Sequence, residues 1–364
     1  MTAPLSASRA GRRYVACWIA LGAAALAGGL LFGLRGSSPE IVELSFEPPA
    51  SGGNADEQTL RSIRKVGDLY TVTSYGDYEA RLEWLDEYLG EKAAELVGRR
   101  NCSLFVTPRP SGHLLFGRNF DRPDRNPILV KSLPPGKYAS FAFCPEEVTE
   151  HLRNLLAAGS APSEDLKNKF LYSLPFYAAD GINEKGLTLA IAAAPLRKVK
   201  QSDARRPTFV LLFIRRALDT CQNVEEVEKL AETMSLYDKN LDTISHHFLA
   251  ADAAGNWLVI DYPDGAPRFT RGRNKPEART NHFLDGGPQS AETKTSFARY
   301  QKLSEGLHGS RPPQTDIEAM ALLRRVRDTT VWSVVYDPHG RGGLVAVREK
   351  YRKQYRFGFQ EELR

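Results

Sequence analysis

Three pairs of short apolar segments, each pair joined by a turn-rich stretch, constrain this chain more than any other feature. Cys102–Val106 and His113–Gly117 flank a turn at Pro108–Gly112. Phe248–Ala251 and Trp257–Asp261 flank Ala254-Gly255-Asn256. Trp332–Tyr336 and Leu344–Val347 flank Pro338–Gly343. Apolar runs of this length bounded by Gly, Pro and Asn read as β-hairpins. Leu187–Ala193 reads as a further strand. Helical spacing falls between the hairpins, at Phe209–Leu218, Val224–Met234, Ser296–Leu307 and Asp316–Val326. Hairpins separated by helices favour a largely antiparallel sheet covered by helices over alternating βαβ units. No internal repeat is visible. The pattern predicts an α+β protein with one catalytic-sized domain.

The first 36 residues differ in kind. Tyr14–Leu34 is an uncharged, mostly apolar run that follows Arg12-Arg13. A run of about 20 such residues is long enough to span a bilayer as a helix. The arginines before it would stay cytoplasmic and leave the rest of the chain outside. A removable signal peptide competes with this anchor, because Ala25-Leu26-Ala27 offers a small-residue cleavage site. Both readings place the body of the protein outside the cytoplasm, anchored in one case and secreted in the other. Cys17, inside the run, reads as a small hydrophobe.

The formal charge of +5 invites a nucleic-acid partner. Arg9, Arg12, Arg13 and Arg35 supply four of those charges within residues 1–36, where no Asp or Glu offsets them. No basic stripe interleaved with aromatics occurs elsewhere, so nucleic acid is set aside. Residues 37–58 read as a linker, with Ser37-Ser38-Pro39 and Pro48-Pro49 followed by Gly52-Gly53-Asn54. Leu82, Leu85, Leu89 and Leu96 repeat at helical spacing through Glu79–Val97, and Gly98 stops that helix.

Beyond Cys17 the chain has Cys102, Cys144 and Cys221. An odd number in an exported chain suggests a free thiol or an intermolecular bond. Cys144 with Cys221 is one pairing that would leave Cys102 free. The common catalytic signatures are missing: no Gly-x-Ser-x-Gly, no His-Glu-x-x-His, no Cys-x-x-Cys and no Gly-rich nucleotide loop. His246-His247 are adjacent, so on a strand they point to opposite faces and read as surface and core rather than as a shared metal site.

What remains is a cysteine with a charged pair at fixed distances. Arg118 and Asp121, in Gly117-Arg118-Asn119-Phe120-Asp121, lie 16 and 19 residues after Cys102. A hairpin brings them back beside it. A guanidinium next to a thiol raises its thiolate fraction. A carboxylate there opposes this unless it holds a cation, such as a free α-amine on the same cysteine.

With Asp180-Gly181-Ile182-Asn183-Glu184-Lys185-Gly186-Leu187, Arg279-Thr280-Asn281-His282-Phe283 and Ser296-Phe297-Ala298-Arg299-Tyr300 added, the chain resembles the linear-amide branch of the N-terminal-nucleophile hydrolases. That group includes choloylglycine hydrolases, penicillin V acylases, isopenicillin acyltransferases and acid ceramidase-like amidases. The resemblance runs from residue 102 to about 348, with four motifs in the family's order. It implies a four-layer αββα sandwich of antiparallel sheets with the cysteine on a central strand. It implies Cys102 as nucleophile, its own α-amine as general base, Asp121 orienting that amine and Arg118 supporting the thiolate. Asn183 and Asn281 would serve the oxyanion, and Arg299 would buttress the site. Each has a plainer reading: Asn183 also suits a turn, Asn281 a cap or turn, and Arg299 an exposed helix position. Trp332 and Tyr336 match an aromatic stretch of the family and read first as core packing.

A free amine on Cys102 requires that the Asn101–Cys102 bond be cut, since some 65 residues separate the apolar run from Cys102. The layout this implies is a signal or anchor at 1–36, a linker at 37–58, a pro-segment or retained small chain at 59–101, and a catalytic domain at 102–364. The two fragments would stay associated. The expected activity is hydrolysis of a linear amide C–N bond in a small acyl amide. Acyl transfer from the same thioester is the first alternative, and a non-catalytic exported protein that kept the fold is the second. The mechanism needs neither metal nor organic cofactor. Residues 131–142 and 196–206 carry no recognisable code for the substrate.

Overall fold

The computed structural model describes residues 38–46, 52–76, 79, 101–121, 126–144, 146–159, 162–174, 176–201, 204–285 and 291–359. The apolar run 14–34, Cys17 and, apart from Glu79, the helix read at Glu79–Val97 lie outside the described residues. Among the described residues no helix is long and apolar enough to cross a membrane. The chain divides into two units, residues 1–40 and 41–364, and the fold below is that of the second.

The elements begin with β1 (Glu40–Glu43), α1 (Ala55–Arg61), β2 (Arg64–Val66), β3 (Leu69–Tyr75), β4 (Asn101–Pro108), β5 (Leu114–Asp121), β6 (Ile128–Leu133) and β7 (Ser140–Cys144). Then come α2 (Glu146–Ala157), α3 (Glu164–Ser173), β8 (Asp180–Asn183), β9 (Thr188–Lys198), β10 (Arg206–Phe209), α4 (Val210–Thr220), α5 (Val224–Glu232) and β11 (Met234–Tyr237). The chain continues with β12 (Thr243–Ala251), β13 (Asn256–Asp261), β14 (Arg268–Arg273), β15 (Glu277–Arg279), α6 (Ala291–His308), α7 (Asp316–Arg325), β16 (Thr330–Asp337), β17 (Gly342–Val347) and β18 (Lys353–Gly358).

Seven strands form one sheet in the order β1-β18-β17-β16-β5-β4-β15. Nine form another, β14-β13-β12-β9-β8-β7-β6-β3-β2, and β10 pairs with β11 separately. All three hairpins read from the sequence are present, as β4–β5, β12–β13 and β16–β17. The four helices read between them are present too, as α4, α5, α6 and α7.

Strand alternation sorts the seven-stranded sheet between two cores. Leu104, Val106, Phe116, Val334 and Val345 join a core shared with the nine-stranded sheet. Their neighbours Phe105, Leu115, Val335, Leu344 and Ala346 join a second core with Leu303 of α6 and Met320 and Leu323 of α7. On the far side of the nine-stranded sheet, Phe213 of α4 meets Phe248 at 5.2 Å. A Cβ on Gly181 would stand 2.6 Å from the Phe141 carbonyl and 2.7 Å from Leu218 of α4, which is why glycine occupies that motif position. Two facing sheets with helices outside both make a mixed, sheet-rich α/β fold. Each fully buried Leu, Val or Phe contributes roughly 1.5–3 kcal/mol to it.

Several expectations change. The nine-stranded sheet is not wholly antiparallel, because β3 joins β6 in parallel register, Val72 opposite Val130. The stretch read as a linker contains β1 and the start of α1, whose Asn54 cap accepts from the Glu57 N–H at 2.9 Å. Leu69 and Val72 are fully buried in the shared core, so residues 64–75, which precede Cys102, are built into the sheet. Cys102 does not sit on a central strand: β4 is next to the edge, with only the three-residue β15 outside it. Cys144 and Cys221 are both free and buried, and no disulfide joins them.

Candidate active site

Cys102 is the second residue of β4, and its side chain is 1% exposed. The short edge strand explains how its backbone is held. β15 pairs Arg279 with Leu104 and stops there, so on that side of β4 no ladder partner reaches Cys102, which pairs with Phe120 on the other. The chain turns at Thr280, and the Asn281 side chain takes the vacant place: its Oδ1 accepts the Cys102 N–H at 2.8 Å. Asn281 is itself fixed. Its Nδ2 donates to the Ala193 carbonyl at 2.8 Å, and its backbone N–H donates to Ser296 Oγ at 2.7 Å.

Arg299 comes from α6 and ties the same group from the helix side. Its Nη2 donates to Asn281 Oδ1 at 2.8 Å, and its Nη1 donates to Ser103 Oγ at 3.0 Å and to the Cys102 carbonyl. It is almost wholly buried, which overturns the exposed-helix alternative. Arg299 Nη1 also lies 3.9 Å from Asp121 Oδ2. Asp121 is cross-strand from Asn101 in the β4–β5 ladder. Its Oδ1 accepts from Thr330 Oγ1, while its Oδ2 has no hydrogen-bond partner among the described residues. Burial, only partly offset by Arg299, raises its carboxyl to about 7.

Arg118 is fully buried on the inward face of β5. Its Nη1 donates to the carbonyls of Ala179 and Ile191 at 2.8 and 2.9 Å, and its Nη2 approaches Cys102 Sγ at 3.9 Å. Its Nε lies 2.8 Å from Asp180 Oδ2, an ion pair in which the N–H is not aligned on the oxygen. Asp180 accepts in turn from Trp332 Nε1 at 3.1 Å and from the Tyr336 hydroxyl. The two aromatics read as packing are therefore also donors to a buried carboxylate.

The expected lowering of the thiol pKa is not found in this uncut chain. Burial is the largest influence on Cys102 and pushes it up; Arg118, the Ala193 backbone N–H and Arg299 pull it down, and Asp121 adds to the rise. A guanidinium alone does not overcome full burial, so the thiol stays protonated.

Asn183 is a correction. Its Nδ2 donates to the carbonyls of Leu218 and Cys221 at 2.9 and 2.8 Å, and its Oδ1 accepts from the Lys185 and Leu187 N–H groups at 3.1 and 3.0 Å. Every polar position of the amide is used, so it has no donor for an oxyanion. It builds the turn that Gly186 completes at φ +85° and ties that turn to the end of α4. The structure brings Cys102, Arg118, Asp121, Asn281 and Arg299 together and leaves Asn183 apart. Sequence reading missed Asp180, Thr330 and the Ala193 backbone. Asp180 opened the most distinctive motif, which was a usable signal; Thr330 and Ala193 carried none.

His246 and His247 point apart, as expected of neighbours on a strand, but both are buried. Each has its own carboxylate, His246 Nδ1 with Asp238 at 3.0 Å and His247 Nδ1 with Asp261 at 3.0 Å. No cluster of three or more metal-ligating side chains occurs among the described residues. A groove of about 850 Å³ lies between α5 and the β13–β14 hairpin, lined by residues such as Glu228, Trp257 and Arg271. It contains none of the groups around Cys102.

The family described as acyl-coenzyme A:6-aminopenicillanic acid acyl-transferase matches residues 172–346. The chain resembles this acyltransferase family. The matched segment contains Asp180, Asn281 and Arg299, whereas Cys102, Arg118 and Asp121 precede it. Among solved structures, penicillin V acylase from Agrobacterium tumefaciens is 14% identical, over 68% of this chain and 83% of that one, with a TM-score of 0.44. A variant of conjugated bile acid hydrolase from Clostridium perfringens is 14% identical over 72% and 93%, at 0.47. The Caenorhabditis elegans ortholog of N-acylethanolamine-hydrolyzing acid amidase is 14% identical over 65% and 93%, at 0.41. A search of curated proteins found no match.

Proposed function

We propose that this protein is a self-processed cysteine amidase with the four-layer N-terminal-nucleophile fold, acting on a linear amide C–N bond through an acyl-thioester on Cys102. One observation carries the reading. The Cys102 nitrogen already has one acceptor, Asn281 Oδ1, and a buried carboxylate oxygen without a hydrogen-bond partner lies across the ladder, on Asp121. A peptide N–H can satisfy one acceptor. A free α-amine has hydrogens for both.

In the cut chain the α-amine, with an ordinary pKa of about 7.7–8.0, takes the thiol proton near neutral pH, so no histidine is needed. The thiolate attacks the substrate carbonyl. The amine returns the proton to the leaving nitrogen, and the acyl group stays on sulfur. Arg118 offsets the thiolate charge. The Ala193 N–H, which acts on the thiol, and Asn281 Nδ2, whose Oδ1 holds the Cys102 N–H, take the oxyanion role first given to Asn183. Water then releases the acid.

The match to an acyltransferase family favours a second outcome at the same thioester, attack by an amine acceptor instead of water. The retained 59–101 segment belongs to the proposal, and the burial of Leu69 and Val72 supports it. Placement outside the cytoplasm through residues 14–34 is part of the same proposal, and sequencing the N terminus of the exported product would test it.

The test is intact mass and N-terminal sequencing of the purified protein, alongside a panel of acyl amides with and without an amine acceptor. The expected result is a new terminus at Cys102 in every active preparation. Cys102→Ala should abolish both the cut and turnover, the latter by about 10⁴-fold or more. Activity in a chain intact through Asn101–Cys102, or turnover unchanged by Cys102→Ala, would sink the mechanism, and a cut wild-type chain that turns over no acyl amide would leave a non-catalytic protein.

A further inference from the structure

The bond before Cys102 is gripped from the side away from the thiol. Asn101 and Cys102 are neighbours on β4 and point to opposite faces. Cys102 enters the core between the sheets, whereas Asn101 shares a row with Asp121 and Thr330 across β4, β5 and β16. Asp328 precedes that row on the β16 side. Its Oδ2 accepts from Asn101 Nδ2 at 3.0 Å, across 227 residues of sequence. Its backbone N–H donates to Thr330 Oγ1 at 3.3 Å, and Thr330 Oγ1 donates to Asp121.

The turn that makes this possible is strained. Thr329, between the two gripping residues, has φ +52°. A β-branched residue in the left-handed region is an outlier that persists only where its surroundings over-determine it. Here they do. Glu349 accepts from the Thr330 N–H at 3.3 Å and from Arg327 Nε at 3.0 Å, and the Thr329 hydroxyl donates to the Asp328 carbonyl at 2.7 Å. The strain lets Asp328 reach Asn101 while Thr330 reaches Asp121.

We propose that Asp328 is a positioning residue for maturation, holding Asn101 so that its carbonyl stays within reach of the Cys102 thiol. The inference rests on the reading that the 101–102 bond is cut. In that step the Cys102 sulfur bonds to the Asn101 carbonyl carbon and the C–N bond to Cys102 breaks. The thiol proton ends on the released α-amine. Water then hydrolyses the thioester, giving a carboxylate at Asn101 and restoring the thiol. Asn101 takes part only here, so its holder matters to cutting and not to later turnover.

The experiment follows cutting of the full-length chain over time by intact mass, with turnover measured per cut chain. Asp328→Ala should slow the cut by about 100-fold, the scale of a reacting group misplaced by an ångström. Asp328→Asn, which keeps an acceptor for Asn101, should recover most of that rate. Asn101→Ala should slow the cut as Asp328→Ala does, and the double variant should be no slower than either. Once cut, all variants should match the wild type in kcat and KM. Thermal melts of the uncut chains separate loss of fold from loss of positioning, and Asn101→Ala supplies a second route should Asp328→Ala fold poorly. Wild-type cutting in both Asp328→Ala and Asn101→Ala would overturn the inference while leaving the cysteine mechanism intact. A wild-type chain that is active and never cut overturns the mechanism itself.

Discussion

The two sides of β4 at Cys102 differ in how completely their charges are satisfied. On the inward side, Arg118 has two carbonyls, the sulfur and Asp180 around it, and Asp180 has Trp332 and Tyr336 besides. On the outward side, Asp121 keeps an oxygen without a hydrogen-bond partner among the described residues, 3.9 Å from Arg299 and pushed up to about 7. The inward charges are paired in the intact chain, although the Arg118 Nε N–H is not aligned on Asp180. The outward side is short of a donor, which the proposed cut at Cys102 would supply. Buried polar groups are seldom left unmatched without a reason, and the proposed precursor state supplies one here.

The inward side gives the largest effect. Removing one member of a buried ion pair leaves the other charge uncompensated, at a cost of about 3–5 kcal/mol. Arg118→Met or Asp180→Asn should each lose on that order of stability in urea unfolding of an uncut Cys102→Ala chain. The double variant should lose less than the sum, because neither charge is then stranded. A loss under about 1 kcal/mol for either single variant would show that the inward side is not the rigid half of the comparison.

The two asparagines sharpen the same contrast. Asn281 touches the reacting nitrogen, whereas Asn183 spends its amide on a turn and on the end of α4. Asn281→Ala should lower kcat by about 100- to 1000-fold, as loss of one oxyanion donor typically does. Asn183→Ala should lower stability and leave turnover per folded, cut molecule near wild type. If turnover falls in proportion for both, Asn183 has a role at the site that its hydrogen bonds do not reveal.

How far the sequence could carry this is visible in those residues. Hairpins β4–β5, β12–β13 and β16–β17 were legible because turn residues bound apolar runs, and α4 to α7 because their apolar spacing is helical. Strands β6 and β7 were not, since Ile128–Val130 and Ser140–Cys144 are continuously buried in a sheet interior and have no alternation to read. Cys102, Arg118 and Asp121 were legible because a hairpin brings its own ends together. Asn183 misled because the same residue in a distinctive motif can serve turn geometry alone. Asp328 and Thr330 lie 227 and 209 residues from Asn101 and Asp121, their partners, and only the β5–β16 pairing brings them near. The sign of the thiol shift was also beyond reach, because it depends on burial and not on which charges are neighbours.

The smallest expected effect tests the outward side by pH. Asp121 is raised to about 7 in the folded uncut chain, above the ordinary carboxylate value of 3.8. The folded state therefore holds a proton that the unfolded state releases. The stability from that proton is fully present below the unfolded value and is lost as pH rises toward 7. Asp121→Asn, which can still accept from Thr330, has no charge to bury. In an uncut Cys102→Ala background its stability relative to the parent should rise by about 2–3 kcal/mol between pH 5 and pH 8, as read by urea unfolding. In the cut wild-type chain an α-ammonium beside Asp121 should favour the carboxylate, so that Asp121→Asn there becomes destabilising at neutral pH. A flat difference across pH in the uncut chain would mean that Asp121 is already matched, and the asymmetry between the two sides of β4 would disappear.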